Sequence, residues 1–214
     1  MDRIIREELK QVLLNCANIN EAWRKKLAIA SVITQAFIDN GGKPPIIVGG
    51  MVVSIYSFGQ YATEDIDMVT MYDTFPYEIL AELGYTRFGK NNFHKGLKSY
   101  VEFPSGDLAG DEKRVVKYDI EETGLSVYVL CVEDIILNRL DAYVSTNDRN
   151  SYEWVLKLLA SLYPHIDWSY IHGTAHKRGT LKVLEKVQRL VKRYNRIYED
   201  MENVDISTLR IDLF

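Results

Sequence analysis

Only two cysteines, Cys16 and Cys131, occur in 214 residues, and they lie too far apart in sequence to argue for a bridge. No run approaches the roughly 18 apolar residues that would span a bilayer, so no membrane partner is expected. The opening stretch from Met1 to Lys10 is charged rather than apolar, unlike a secretory signal. These absences together point to a reducing cytoplasm. Strong charge of one sign is missing too: a formal net charge of -4 sets no field that recruits nucleic acid or membrane wholesale. There is no internal repeat and no low-complexity segment. What is present is an ordinary apolar fraction of 47%, enough for one domain with a long helical appendage or for two small packed lobes.

The first forty residues read as two helices. Leu9, Val12, Leu13 and Cys16 recur at helical spacing, and Ala22 to Ile38 continues the pattern after a break near Asn18 and Asn20. Gly41, Gly42, Pro44 and Pro45 end the helix. Ile46-Ile47-Val48 suits a short buried strand, Gly49-Gly50 closes it, and Met51 to Ser57 predicts a helix behind it. Asp65 to Val69 alternates polar and apolar residues like a strand with one buried face. Pro76 to Leu83 predicts a helix with proline in its first turn. Further strands are expected at Ser99 to Phe103, Arg114 to Ile120 and Ser126 to Leu130, the last two joined by a hairpin loop at Glu121 to Gly124. Ser105 to Lys113 reads as an exposed loop. From Val132 onward the pattern is helical, with stripes at Ile136, Leu140, Val144 and at Trp154, Leu158, Leu162, and a last helix from about Gly179 to Met201.

Chemistry concentrates in Asp65-Ile66-Asp67-Met68. On a strand the two aspartates point one way while Ile66 and Met68 point into the core. Their backbones then stand about 6 to 7 Å apart, and carboxylates that close repel unless positive charge lies between them. A hard cation such as magnesium takes carboxylate oxygens, water and substrate phosphates. Upstream, the strand Ile46 to Val48 delivers Gly49-Gly50 to a helix start, where missing Cβ atoms and the helix N-terminus admit a phosphate. Fourteen residues separate Gly50 from Asp65, room for one helix and a return to a neighbouring strand. In Tyr100-Val101-Glu102-Phe103, Glu102 takes the face opposite Val101 and Phe103. Beside the acidic pair it would complete a three-carboxylate cluster able to hold two cations and to accept a proton from an attacking hydroxyl.

The stretch "IIVGGMVVSIYSFGQYATEDIDMVT" resembles the core motif of the nucleotidyltransferase superfamily that includes DNA polymerase β: a hydrophobic strand, Gly-Gly or Gly-Ser, a short helix, then Asp-h-Asp. It is most similar to the minimal prokaryotic nucleotidyltransferases, with relatives among abortive-infection toxins. "CVEDIILNRLDAYVSTNDRNSYEWVLKLL" is similar to the helical segment those proteins carry after their sheet, and the resemblance covers roughly Lys43 to Leu162. It implies that Asp65 and Asp67 are the metal pair and Glu102 the third acid, that Gly49 and Gly50 cradle the triphosphate, and that Arg139 faces the nucleotide. Asp148, with Arg149, falls in a polar segment that recurs there and joins the expected nucleotide-binding set. One departure is Met51, which stands where many members carry a serine.

Each feature has a plainer account. Asp65 and Asp67 could be a solvated strand face, Gly49-Gly50 a structural turn, Glu102 an exposed strand residue, and Arg139 a snorkelling side chain. His172 and His176, four apart, suit a surface pair better than a metal site without a third ligand. Cys131 reads as a small buried hydrophobe. On the last helix, Leu184, Val187, Val191, Tyr194, Tyr198 and Met201 follow a three-four repeat, flanked by Lys182, Lys186, Arg189, Lys192, Arg193 and Arg196. That helix is a basic ledge for RNA, a seam for a homodimer or partner protein, or a helix packed on the two before it.

The expected fold is α+β: a nucleotidyltransferase core with a small mixed β-sheet flanked by helices over residues 1–130, then a helical C-terminal domain over 131–214. The expected activity is magnesium-dependent transfer of a nucleoside monophosphate from a nucleoside triphosphate to an acceptor hydroxyl on RNA, protein or a small molecule, in a toxin-like role. The alternative is an inactive binding module or antitoxin-type partner with the same fold.

Overall fold

A computed structural model describes residues 7–71, 74–104 and 106–199, with side chains through residue 195. Helices α1 (Glu7–Asn15) and α2 (Ala22–Asp39) come first, joined by a 3-10 turn at Cys16–Asn18. Then follow β1 (Ile46–Ile47), α3 (Gly49–Tyr56), β2 (Asp65–Val69), α4 (Phe75–Glu82), β3 (Thr86–Phe88), β4 (Asn91–His94), β5 (Ser99–Glu102), β6 (Val116–Ile120) and β7 (Leu125–Val129). Helices α5 (Val132–Thr146), α6 (Arg149–Leu162), α7 (Trp168–Arg178) and α8 (Leu181–Glu199) complete the described chain. It divides into two compact units within α5, the first ending at Ile135 and the second beginning at Ile136.

The first unit is built on one seven-stranded mixed sheet of order β3-β4-β5-β2-β1-β7-β6. The α+β architecture expected from the sequence is therefore present. Strand β1 runs antiparallel to β2 and parallel to β7, and β2 runs parallel to β5. The remaining neighbours are antiparallel hairpin partners, β3 with β4, β4 with β5 and β6 with β7. Alternation makes one sheet face apolar: Ile47, Ile66, Met68, Val101, Val127 and Val129 are fully buried. Helix α2 packs against β7, with α1 and α4 beside it. Its middle, Ala28 to Thr34, is buried all round, as a helix enclosed on several sides must be.

The predicted elements of this unit form within a residue or two of their expected ends. Two strands, β3 and β4, are additional. Every residue of β3 is exposed, so no alternation marks it. Strand β4 alternates in the inverse sense: Asn92 and His94 face the core while Phe93 does not. The buried polar groups are satisfied, since Asn92 Nδ2 donates to the Val101 carbonyl at 3.1 Å and His94 Nδ1 accepts the Leu97 N–H at 3.2 Å. The loop expected to be exposed over 105–113 is pinned in part. The Asp111 N–H donates to the buried Asp134 carboxylate at 2.9 Å, and a Cβ on Gly110 would stand 2.6 Å from the same oxygen. Ser105 lies outside the described residues.

In the second unit α6 and α7 pack on α8. Leu184, Val187 and Val191 are buried in that packing, so the apolar stripe of α8 is used within the unit. Lys182, Lys186, Arg189, Lys192 and Arg193 are left on its exposed face. The side chains of Arg196 and Tyr198, and Met201 altogether, lie outside the described residues.

Both cysteines are free and buried. Burial pushes the Cys16 thiol up to about 11 and the Cys131 thiol up to about 12. Since the thiolate is the reactive form, iodoacetamide at pH 8 should label neither thiol of the folded protein within minutes and both in urea. Rapid labelling of the folded protein, read by mass spectrometry, would contradict this packing.

Candidate active site

Strand β2 supplies Asp65 and Asp67, and the parallel register of β5 sets Asp67 directly opposite Glu102 and Asp65 opposite Tyr100. Directly paired residues share a face, so all three acids stand on the sheet face away from the core. Each can offer one oxygen such that the three lie within 4.8 Å of one another. None is sealed from water. An all-oxygen, all-anionic donor set at that spacing fits a hard divalent cation, with room left for water or phosphate oxygens. Among the described residues this is the only such group of three or more.

The glycine turn meets this cluster. The Val48 N–H donates to the Asp67 carbonyl at 2.9 Å, which brings Gly49 to the Asp67 side chain. Gly49 adopts a φ of +63°, and a Cβ there would stand 2.5 Å from Asp67 Oδ2. Glycine is required on both counts. A Cβ on Gly50 would fall 2.9 Å from Thr63 Oγ1, and the Gly50 N–H hydrogen-bonds the Asp67 carboxylate. The two glycines thus make room for Asp67 and orient it. Met51, at the position where the resemblance leads one to expect serine, is fully buried in the core.

Two lysines outside the expected set complete the electrostatics. Lys26, on α2, donates from Nζ to the Thr63 carbonyl at 2.7 Å, and Thr63 Oγ1 donates to the Asp65 carbonyl at 3.3 Å. Burial lowers the Lys26 pKa, while Asp65 and Glu64 pull it back up. Lys90, in the β3–β4 turn, places Nζ 3.1 Å from Glu102 Oε1. Lys26 lies 39 residues before Asp65 on an ordinary helical pattern, so no local signal marks it. Lys90 could have been suspected only once Gly89-Lys90 was seen as a hairpin turn.

Arg139 and Asp148 belong to the second unit. Asp148 caps α6, accepting the Asn150 N–H at 3.1 Å and the Ser151 hydroxyl at 2.6 Å. The Ser151 bond leads the causes that hold its carboxyl below the ordinary range. Arg139 Nη1 donates to the same Ser151 oxygen at 3.4 Å. His172 Nε2 lies 3.1 Å from Gln188 Oε1.

The fold and the site define an α+β protein with a carboxylate trio on its sheet, suited to holding a divalent cation. The chain belongs to the family described as nucleotidyltransferase of unknown function (DUF6036), whose model matches residues 25–205. No curated protein and no solved structure matches it significantly.

Burial, then Asp65 and Glu102, raise the Asp67 pKa above the usual carboxylate value; the Gly50 N–H and Lys90 oppose the shift. The folded chain therefore holds this proton more tightly than the unfolded chain. That contribution to stability is complete below the unfolded value and is lost as pH rises through the raised one. At pH 7.5 in chelator, Asp67→Asn should raise Tm by about 2–4 °C, the effect in a protein of this size of roughly 1 kcal/mol from no longer burying a charge beside two like ones. Manganese or magnesium should raise the wild-type Tm at pH 7.5, less at pH 5, and leave the variant unmoved. A wild-type melting curve indifferent to both cations would overturn the assignment.

Proposed function

We propose that this nucleotidyltransferase-family protein transfers a nucleoside monophosphate from a nucleoside triphosphate to an acceptor hydroxyl, with pyrophosphate as the leaving group. The observation that carries this reading is the convergence of Asp65, Asp67 and Glu102 beside the Gly49-Gly50 turn. Asp65 and Asp67 are the ligands for magnesium, with Glu102 available to a second ion. When bound there, magnesium supplies positive charge against the triphosphate oxygens.

The chain's own groups do the rest. Gly49 and Gly50 let the polyphosphate lie close to backbone, at the start of α3. Glu102 accepts the proton as the acceptor oxygen forms its bond to the α-phosphorus and the bond to pyrophosphate breaks. Lys90, beside Glu102, offsets charge at that end of the site. Asp148 orients Ser151 and Arg139 from the α6 cap. Positioning and charge stabilisation carry most of the rate, as in phosphoryl-type transfers generally. Two free, buried thiols accord with work in a reducing cytoplasm.

Incubating the protein with α-labelled triphosphates, magnesium and RNA, protein or small-molecule acceptors tests the reading. Label should pass to one acceptor class, and Asp67→Ala should lower the rate by at least about a thousandfold, the loss usual for a central electrostatic group. Equal labelling by both proteins removes this mechanism.

The exposed basic face of α8 favours RNA as that acceptor. Lys186, Arg189, Lys192 and Arg193 stand clear of the helix packing. Neutralising all four should weaken single-stranded RNA binding and flatten its log–log salt dependence by about 3, near 0.7 for each phosphate that loses its cation. Binding that ignores both salt and these substitutions would exclude α8 as the RNA ledge.

A further inference from the structure

The strand that sequence patterning misses carries the next inference. On β4 the apolar Phe93 faces away from the core while the polar Asn92 and His94 face into it, an inversion of the rule that sheets otherwise follow here. The inverted face is the one that bears the acids. By register, Asp65 is paired with Tyr100 and Tyr100 with Phe93, while Asp67 is paired with Glu102 and Glu102 with Asn91. Two cross-strand rows therefore leave the carboxylates and continue into aromatic and amide side chains. The Phe93 and Tyr100 rings lie 4.7 Å apart at 32°, and Tyr100 is 39% exposed. Phe88, paired with Asn91 on β3, is 65% exposed. Covering such rings would remove apolar area from water, a gain the chain by itself leaves unused. Beside them, the Asn91 Oδ1 is shielded from water and has no hydrogen-bond partner. Buried amide oxygens are normally paired, so this one is an acceptor without its donor.

We propose that Tyr100 and Phe93 form a stacking shelf for a heteroaromatic base, with Asn91 offering its oxygen to a donor on the base edge. A base has a π-face for the rings and N–H groups for the amide, whereas an aliphatic group would satisfy only the first. The shelf deepens the nucleotidyl-transfer reading and rests on it. Its occupant is the base of the triphosphate or the base of a nucleotide acceptor. The β5–β4 side lies across the trio from the β1 glycine turn. One strand spacing is about 4.8 Å, so a base on the shelf sits within one nucleotide's reach of the carboxylates.

Calorimetry on the full chain in magnesium separates the outcomes, using ATP, GTP, CTP, UTP, inorganic tripolyphosphate and a six-nucleotide single-stranded RNA as probes. If the shelf holds the triphosphate's base, Tyr100→Ala weakens nucleotide binding about tenfold or more and leaves tripolyphosphate unchanged, while Tyr100→Phe behaves as wild type. If it holds the acceptor's base, the RNA loses that factor and the triphosphates do not. In either case Asn91→Leu narrows the ranking among bases without weakening tripolyphosphate. Unchanged affinity of Tyr100→Ala and Phe93→Leu for every base-bearing probe, with tripolyphosphate still bound, overturns the shelf and leaves nucleotidyl transfer standing. A wild-type protein that binds neither tripolyphosphate nor any nucleotide overturns both.

Discussion

Mutual repulsion among Asp65, Asp67 and Glu102 is the constraint around which the first unit is arranged. Oxygens of three carboxylates on adjacent strands lie within 4.8 Å of one another, and burial first, then the charges of Asp65 and Glu102, raise the pKa of Asp67. Backbone pairing of β2 with β5 enforces the proximity, because a register slip of one residue would send Glu102 to the opposite face. The fold therefore spends some of its stability on a site that is at ease only with positive charge in it. Everything close by reduces that tension in part. The Gly50 N–H bonds Asp67, Lys90 pairs with Glu102, and Lys26 is anchored beside the entry to β2.

The glycines answer to a structural demand besides the one expected of them. Gly49-Gly50 is expected to clear space for a phosphate, yet the atoms nearest the missing Cβ positions belong to Asp67 and Thr63. Protein, before any substrate, demands the absence of side chains here. Met51 follows the same logic: its position faces the core, where a thioether packs and a hydroxyl would need a partner. The substituted residue tells of packing behind the site.

Local pattern made the site's centre legible. Alternation in Asp65 to Val69 requires both aspartates to share one face, whatever else the chain does. The hydrophobic periods of α2, α5 and α6 likewise announce helices. Long-range pairing was harder to read. That β5 lies beside β2 depends on a crossover that no stretch of sequence encodes by itself, and Glu102 gains its meaning only from that neighbour. Strands β3 and β4 escaped because their side-chain pattern answers to something other than core burial. Asp148 and Ser151 illustrate the converse: a polar segment that suggested a ligand also caps a helix and ties down Arg139.

Sequence alone determined the α+β order, the paired aspartates on a common strand face and the glycine turn ahead of them, since each follows from dihedral preference and side-chain period within a few residues. Tertiary structure decided that Glu102 joins the pair, that Lys26 and Lys90 flank it, and that Tyr100, Phe93 and Asn91 extend the same face. Those facts hang on which strands lie edge to edge, and strand order is chosen by burial of the whole sheet, a sum over residues far apart in the chain.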